Sequence, residues 1–332
     1  MFVHSSRIQK QFEYLEKLGV DITPLYKQAG IPKDCKFEPE LTFDFEQYKT
    51  VLDFALRQTN NPEYGLEFGN QSQLGGTIGM LSASCANLKE AFIQGAKFLK
   101  IQGDFAELHF IDHVSFPKLA YTPVQSWVLE NPQTAKLEVD AMFSFLNNIL
   151  KINSNDTLKP RKLNFACKKP DKPEKYLEVF GIKPAFDADY NEMIFDSASL
   201  MIPMKAFNPE TFQLLNQYLE FRLSELSSSE KISDKVKKIL HSSFKYQFPD
   251  IESVAEKLKL TSRTLQRKLS DEQTTFKDLL QETRFGIAKQ LLKQNHLTVS
   301  EISYILGYSD LANFSRSFKK YIGESPVEFK GK

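Results

Sequence analysis

Two stretches near the end of the chain share one design, a short helix, a tight turn and a second helix with a basic outer face. The first runs Pro249-Asp-Ile-Glu-Ser-Val-Ala-Glu-Lys-Leu-Lys-Leu-Thr-Ser-Arg-Thr-Leu-Gln-Arg-Lys-Leu269. Asp250 is suited to cap the opening helix. Val254 and Leu258 fall on its inner face, and Ala255 is small enough for another helix to cross closely. Thr261 or Ser262 caps the second helix, which turns Leu265 and Leu269 inward. That arrangement is a helix-turn-helix. Arg263, Gln266, Arg267 and Lys268 are left outside, and these are side chains that read base edges and phosphates.

The second stretch runs from Thr298 to Tyr321. Ile302, Ile305 and Leu306 supply its inner face. Gly307 fits the turn, where a positive φ costs it little. Ser309 or Asp310 caps the next helix, and Phe314 and Phe318, four apart, anchor it. Asn313, Arg316, Lys319 and Lys320 lie on its other faces, and Gly323-Glu-Ser-Pro326 closes the motif.

Charge is distributed to match. Residues 235–332 hold 18 Lys and Arg against 11 Asp and Glu, whereas residues 1–234 hold 25 against 31, so a net charge of only +1 conceals a basic end and an acidic remainder. Such a split suggests a nucleic-acid-binding module joined to something else.

The run Ile-Leu-Gly-Tyr-Ser-Asp-Leu-Ala-Asn-Phe-Ser-Arg-Ser-Phe-Lys-Lys-Tyr-Ile-Gly-Glu-Ser-Pro over 305–326 resembles the signature of AraC/XylS-type transcription regulators. Ser-Arg-Thr-Leu-Gln-Arg-Lys-Leu over 262–269 resembles their first recognition helix. The match covers about 235–332, with both units in the family's order and spacing. Gly65 to Ile101 is similar to the arabinose-binding-type N-terminal domain of one branch. The resemblance implies an all-α, seven-helix DNA-binding domain in which a long helix, about Phe276–Lys293, holds two recognition helices in successive major-groove segments. Equivalent groove faces recur every ~34 Å. By position, Arg263, Gln266 and Arg267 enter one segment, and Leu311, Ala312, Asn313 and Arg316 the other. Lys268, Lys319 and Lys320 suit phosphates. Lys259 stands where the first unit often has Gly, and Ser303 where the second often has Ala. A left-handed backbone at Lys259 would cost roughly 1 kcal/mol.

The first two thirds read as an α+β domain. Ile8, Phe12, Leu15 and Leu18 follow helix spacing up to a stop at Gly19, and a second helix is expected from Phe43 to Thr59. Asn87-Leu-Lys-Glu90 resembles a capping box for a helix through Ile101. Alternation from Phe105 to Val124 suggests a hairpin. A helix follows near 132–150, then strands at 163–167 and 192–195 around a helix at 173–180, then a long helix from Asn208 to Leu226. The stripe Phe212, Leu215, Leu219 and Leu226 fits either core packing or a homodimer seam. Ser224 and Ser227–Ser229 give 223–235 the composition of a linker. The expected division is therefore 1–226 for effector sensing and dimerisation, 227–234 as linker and 235–332 for DNA binding.

Several other signals are weak. Gly75-Gly-Thr-Ile-Gly79 lacks the Gly-Lys-Ser/Thr ending of a phosphate loop and reads as a tight turn. His109 and His113 are four apart, but in apparent strand sequence with no acid or cysteine cluster, so no metal is assigned. Cys35, Cys85 and Cys167 are too few and too dispersed for a disulfide framework. With no apolar span and no signal-peptide pattern, a cytoplasmic protein is expected. No catalytic constellation or cofactor motif is evident, which argues against an enzyme.

The expected function is a sequence-specific transcription regulator with double-stranded DNA as partner, gated by a small-molecule effector, and working with RNA polymerase if it is an activator. The alternative is control by a protein partner or by abundance, without a ligand. Phe105, His109, Trp127 and Phe143 are the effector-pocket candidates, although aromatic residues there also suit a core.

Overall fold

The computed structural model describes residues 1–33, 41–71, 76–229, 231–243, 248–294 and 297–330. They form two compact units. The first comprises Met1–Pro123 and Gln133–Ser227, and the second comprises Val124–Pro132 and Ser228–Lys332. Cys35 and Gly75 lie outside the described residues.

The first unit begins with β1 (Phe2–His4), α1 (Ser5–Lys17), α2 (Thr23–Gln28), β2 (Thr42–Asp44) and α3 (Phe45–Thr59). β1 and β2 pair antiparallel with Val3 opposite Phe43. Helix α1 ends beside Gly19, whose φ of +78° requires the left-handed backbone that glycine adopts readily. Then come α4 (Tyr64–Gln71), α5 (Gly76–Ser84) and α6 (Leu88–Phe98). Asn87 caps α6 by accepting the Glu90 N–H at 2.9 Å. A tight turn is expected over Gly75–Gly79, but from Gly76 to Ser84 the chain is helix. Gly76, with φ +70°, starts that helix, and Gly79 sits buried within it.

The expected hairpin is present as β3 (Ala106–Ile111) and β4 (Lys118–Pro123), with Leu108 opposite Tyr121. Helix α7 (Gln125–Glu130) follows and belongs to the second unit. The chain returns with α8 (Pro132–Ser154), β5 (Lys162–Asn164), α9 (Glu174–Phe180) and β6 (Glu192–Ile194). The larger sheet is antiparallel in the order β3-β4-β6-β5.

Helix α8 is the axis of the first unit. Its Leu137, Phe143, Leu146, Ile149 and Leu150 are buried, and so are its polar Glu138, Asp140, Ser144 and Asn147. Helix α4 crosses it closely, because a Cβ at Gly65 would collide with the Leu137 carbonyl, and one at Gly69 with that of Ala141. Ser144 Oγ donates to the Leu66 carbonyl at 2.7 Å across this crossing. Asp140 accepts from Lys136 at 2.6 Å and from the Tyr176 hydroxyl at 2.9 Å, as a buried charge requires.

The first unit closes with α10 (Pro209–Ser229). Phe212, Leu215, Leu219, Leu223 and Leu226 pack with Leu81, Phe98 and Ile101. The apolar stripe thus packs on its own unit, with Leu219 buried and Phe212, Leu215 and Leu226 half-buried. The serine-rich stretch from Ser224 to Ser229 continues this helix instead of forming a loose linker. Packing by Leu223 and Leu226 outweighs the mild helix penalty of serine, and Ser224 Oγ donates back to the Phe221 carbonyl at 2.7 Å.

The second unit adds to α7 the helices α11 (Ile232–Ser243), α12 (Ile251–Lys257), α13 (Ser262–Asp271), α14 (Phe276–Gln294), α15 (Val299–Ile305), α16 (Leu311–Ile322) and α17 (Pro326–Lys330). Two cores result. Val236, Leu240, Val254, Ala255, Leu265, Leu269 and Leu279 form one. Phe285, Ile287, Ala288, Leu291, Leu292, Ile302, Leu306, Phe314 and Phe318 form the other. Helix α14 supplies Leu279 to the first and Phe285–Leu292 to the second, so one rod carries both helix-turn-helix pairs. Helix α7 packs against α11 and α14, with Leu129 on the second core and Ser126 Oγ 3.2 Å from His241 Nδ1. No helix among the described residues is long and apolar enough to cross a membrane.

Candidate nucleic-acid interface and effector cavity

In the first helix-turn-helix, Asp250 caps α12 by accepting the Ser253 N–H at 2.9 Å. Thr261 caps α13 through the Thr264 N–H at 3.2 Å. The connecting turn places Lys259 at φ +55°, a left-handed position held by a residue with a Cβ. Leu265 and Leu269 are fully buried, which directs Arg263, Gln266, Arg267 and Lys268 outward. These four form no side-chain hydrogen bond or ion pair with the described residues, so their donors face solvent.

The second pair repeats the plan with different chemistry. Thr298 and Glu301 form a reciprocal capping box on α15. Gly307 makes the turn at φ +78°, and Ser303 is buried behind it. Asp310 caps α16 by accepting the Asn313 N–H at 2.7 Å, which holds the Asp310 carboxyl below the usual carboxylate range. The Asn313 amide donates to the same carboxylate, and Arg316 donates to Asn313 Oδ1 at 2.6 Å. Asn313 and Arg316 are thereby brought together on the exposed face. Leu311, Ala312, Lys319 and Lys320 are exposed around them, while Phe314 and Phe318 are buried.

A cavity of about 190 Å³ lies within the first unit, walled by α1, α5, α6 and α8. Ser6, Arg7, Lys10 and Gln11 of α1, with Tyr48 and Gln102, make one end polar. Ile78, Phe92, Leu99, Met142, Phe145 and Ile149 are among the residues that make the remainder apolar. Behind the polar end, Glu138 is 1% exposed. It pairs with Arg7 and accepts from the Tyr48 hydroxyl at 2.8 Å and the Tyr121 hydroxyl at 3.0 Å. Burial and the adjacent Glu138 charge push both tyrosines well above their ordinary range, so they act as hydroxyl donors. Burial opposes the Arg7 charge most strongly, but Glu138, Tyr48 and Tyr121 together outweigh it and the guanidinium remains protonated. Burial, then Arg7, lowers the Lys10 ammonium from its ordinary value.

None of the four sequence candidates for the effector pocket lines this cavity. Phe105 stacks on Phe45 at 5.3 Å and lies 5.0 Å from the Arg7 guanidinium, so it supports a lining residue from behind. Phe143 packs against Phe165 at 5.4 Å. His109 is exposed and 3.0 Å from Glu107. Trp127 is buried in α7 of the second unit. The residues missed were Arg7, Lys10 and Gln11, which recur at i, i+3 and i+4 on one side of α1. Glu138 was the available clue, one of two carboxylates, with Asp140, inside the otherwise apolar run Leu-Glu-Val-Asp-Ala-Met-Phe. Cys85 is buried and its thiol is pushed up to about 12 by burial, which suits packing rather than nucleophilic chemistry. No cluster of three or more metal-ligating residues occurs among the described residues.

The family model for the arabinose-binding N-terminal domain of AraC transcription regulators matches residues 19–204, and a helix-turn-helix domain model matches 254–332. The chain is 26% identical over 320 residues to an ornithine utilization regulator of Pseudomonas aeruginosa, covering 96% of this chain and 93% of that one. It is 21% identical over 333 residues to the regulator VirS of Mycobacterium tuberculosis, with the same coverage of 96% and 93%. Among solved structures, the regulator CdpR of Pseudomonas aeruginosa aligns with a TM-score of 0.48 at 19% identity, covering 98% of this chain and 97% of that one.

Proposed function

This chain belongs to the AraC family of DNA-binding transcription regulators, and we propose that it occupies two successive major-groove segments and is gated by a small molecule in its N-terminal domain. The observation that carries the DNA reading is the pair of exposed basic helix faces, on α13 and α16, set on a single rod by two separate cores. Arg267 and Arg316 are placed to pair bidentately with guanine, and Gln266 or Asn313 with adenine. Leu311 and Ala312 suit thymine methyl groups, and Lys268, Lys319 and Lys320 suit phosphates. The reading is non-catalytic.

The cavity favours effector gating over control by a partner or by abundance, since neither of those uses an internal space with a polar end. Coupling follows from the path of the chain. Helix α8 lines the cavity and begins at Pro132, the last residue of the short excursion Val124–Pro132 into the second unit. A ligand that binds two conformations of α8 unequally shifts that excursion with it. Homodimerisation through α10 would use its outer face, with exposed Leu214 and Phe221, because the 212–226 stripe already packs within its own unit. RNA polymerase is the expected further partner if the protein is an activator.

Footprinting of the full-length protein on its own promoter region tests this reading. Protection of two patches on one DNA face, about one helical turn apart, is expected. A single patch, or binding that ignores sequence, would overturn it. DNA affinity that responds to no compound bound in the cavity would overturn gating.

A further inference from the structure

The polar end of the cavity has an unusual balance of hydrogen-bonding groups. Gln11 is fully buried, and its Oε1 accepts from the Tyr64 hydroxyl at 2.7 Å, which leaves the amide Nε2 without a partner. Arg7 uses its terminal nitrogen on Glu138, and its buried Nε is also without a partner. Lys10 stands half-buried between them in sequence and brings a second positive charge to the same end. Glu138 is engaged by Arg7, Tyr48 and Tyr121, and no Asp or Glu is among the described residues that line the cavity.

A buried donor without an acceptor is costly, and water relieves it only where the site is polar. Here the remainder of the wall is apolar apart from Ser82, so a ligand must combine an acceptor-rich head with a water-excluding body. Buried charge is tolerated only when paired. A ligand ammonium would find no carboxylate on these walls and would face Arg7 and Lys10. A neutral polyol would satisfy some donors but would leave hydroxyls against Ile78, Phe92 and Met142.

We propose that the cavity binds an organic monocarboxylate with an apolar body, the carboxylate received by Arg7, Lys10 and Gln11 and the body lodged toward Phe92 and Met142. This inference rests on the effector reading and names its ligand class. It excludes diamines, zwitterionic amino acids and sugars as the primary ligand.

The test is calorimetry and thermal shift on the full-length protein with octanoate, octylamine, 1-octanol, L-ornithine and L-arabinose. Octanoate is expected to bind saturably and raise Tm, with the others weaker by tenfold or more. Lys10→Met should weaken octanoate about tenfold, as loss of one charge-assisted hydrogen bond predicts. Lys100→Met, at an exposed position outside the cavity, should leave it unchanged. Lys10 is half-buried, so its removal should be tolerated, and an unchanged Tm without ligand checks that. Equal binding of 1-octanol and octanoate would overturn the assignment of the anionic head. Stabilisation by octylamine, L-ornithine or L-arabinose, but not octanoate, would overturn the ligand class while leaving gating intact. Octanoate binding that never alters DNA affinity would support the site and overturn gating instead.

Discussion

The two helix-turn-helix pairs share a plan and differ in how it is held. The first is closed by aliphatic side chains, with Leu265, Leu269 and Val254 at its centre, and bends at Lys259, a residue strained by φ +55°. The second is closed by aromatic rings, Phe314 and Phe318 at 5.6 Å with Phe285 edge-on to Phe318, and bends at Gly307. Their outer faces differ as well. On α13 the reading side chains are exposed and make no hydrogen bond with the described residues, whereas on α16 Asp310, Asn313 and Arg316 form a chain of hydrogen bonds before any DNA arrives. Pre-organisation of that kind lowers the entropy lost on binding. The second unit is therefore suited to set register on DNA, and the first to adapt to it.

The largest effect that would sharpen this contrast is on the aromatic core. Phe314→Ala should cost about 3–5 kcal/mol of stability, read as a lowered denaturation midpoint. Leu265→Ala should cost less, about 2–5 kcal/mol with a smaller cavity to leave, and a reversed order would break the comparison. Next comes DNA reading. Arg316→Ala should lose about 1–3 kcal/mol on the specific site and relax preference at one base pair, measured by competition with single-base variants. Equal loss on random DNA would remove Arg316 from base reading. The turns follow. Lys259→Gly should stabilise by up to about 1 kcal/mol by relieving the left-handed strain, and Gly307→Ala should destabilise by about as much. The smallest effect belongs to the phosphate contacts. Lys319→Ala should weaken binding to all sequences and reduce the slope of log affinity against log salt by about 1.

What the sequence revealed divides along similar lines. Caps, turns and buried positions of both helix-turn-helix pairs are local features, set within a dozen residues, and Thr261, Gly307, Asp310, Phe314 and Phe318 take the places their spacing predicts. The hairpin and α8 were legible for the same reason. The cavity was not, because its polar end joins α1 to a carboxylate 131 residues away. No local period encodes that pairing. Gly75–Gly79 read as a turn because glycines were counted without the neighbouring helices, and 223–235 read as a linker because serines were counted without the packing of Leu223 and Leu226. Trp127 was assigned to the effector domain by sequence position alone, whereas the chain carries it into the other unit.

That excursion bears on how such regulators can be recombined. Val124–Pro132 belongs to the DNA-binding unit yet is encoded within the N-terminal part. A single crossover near Ser227 therefore does not exchange whole modules. It separates α11 and α14 from the helix that packs on them and leaves a foreign α7 in its place. A chimaera that inherits its DNA-binding half from one parent needs two crossovers, or a matched graft of nine residues (Val124–Pro132).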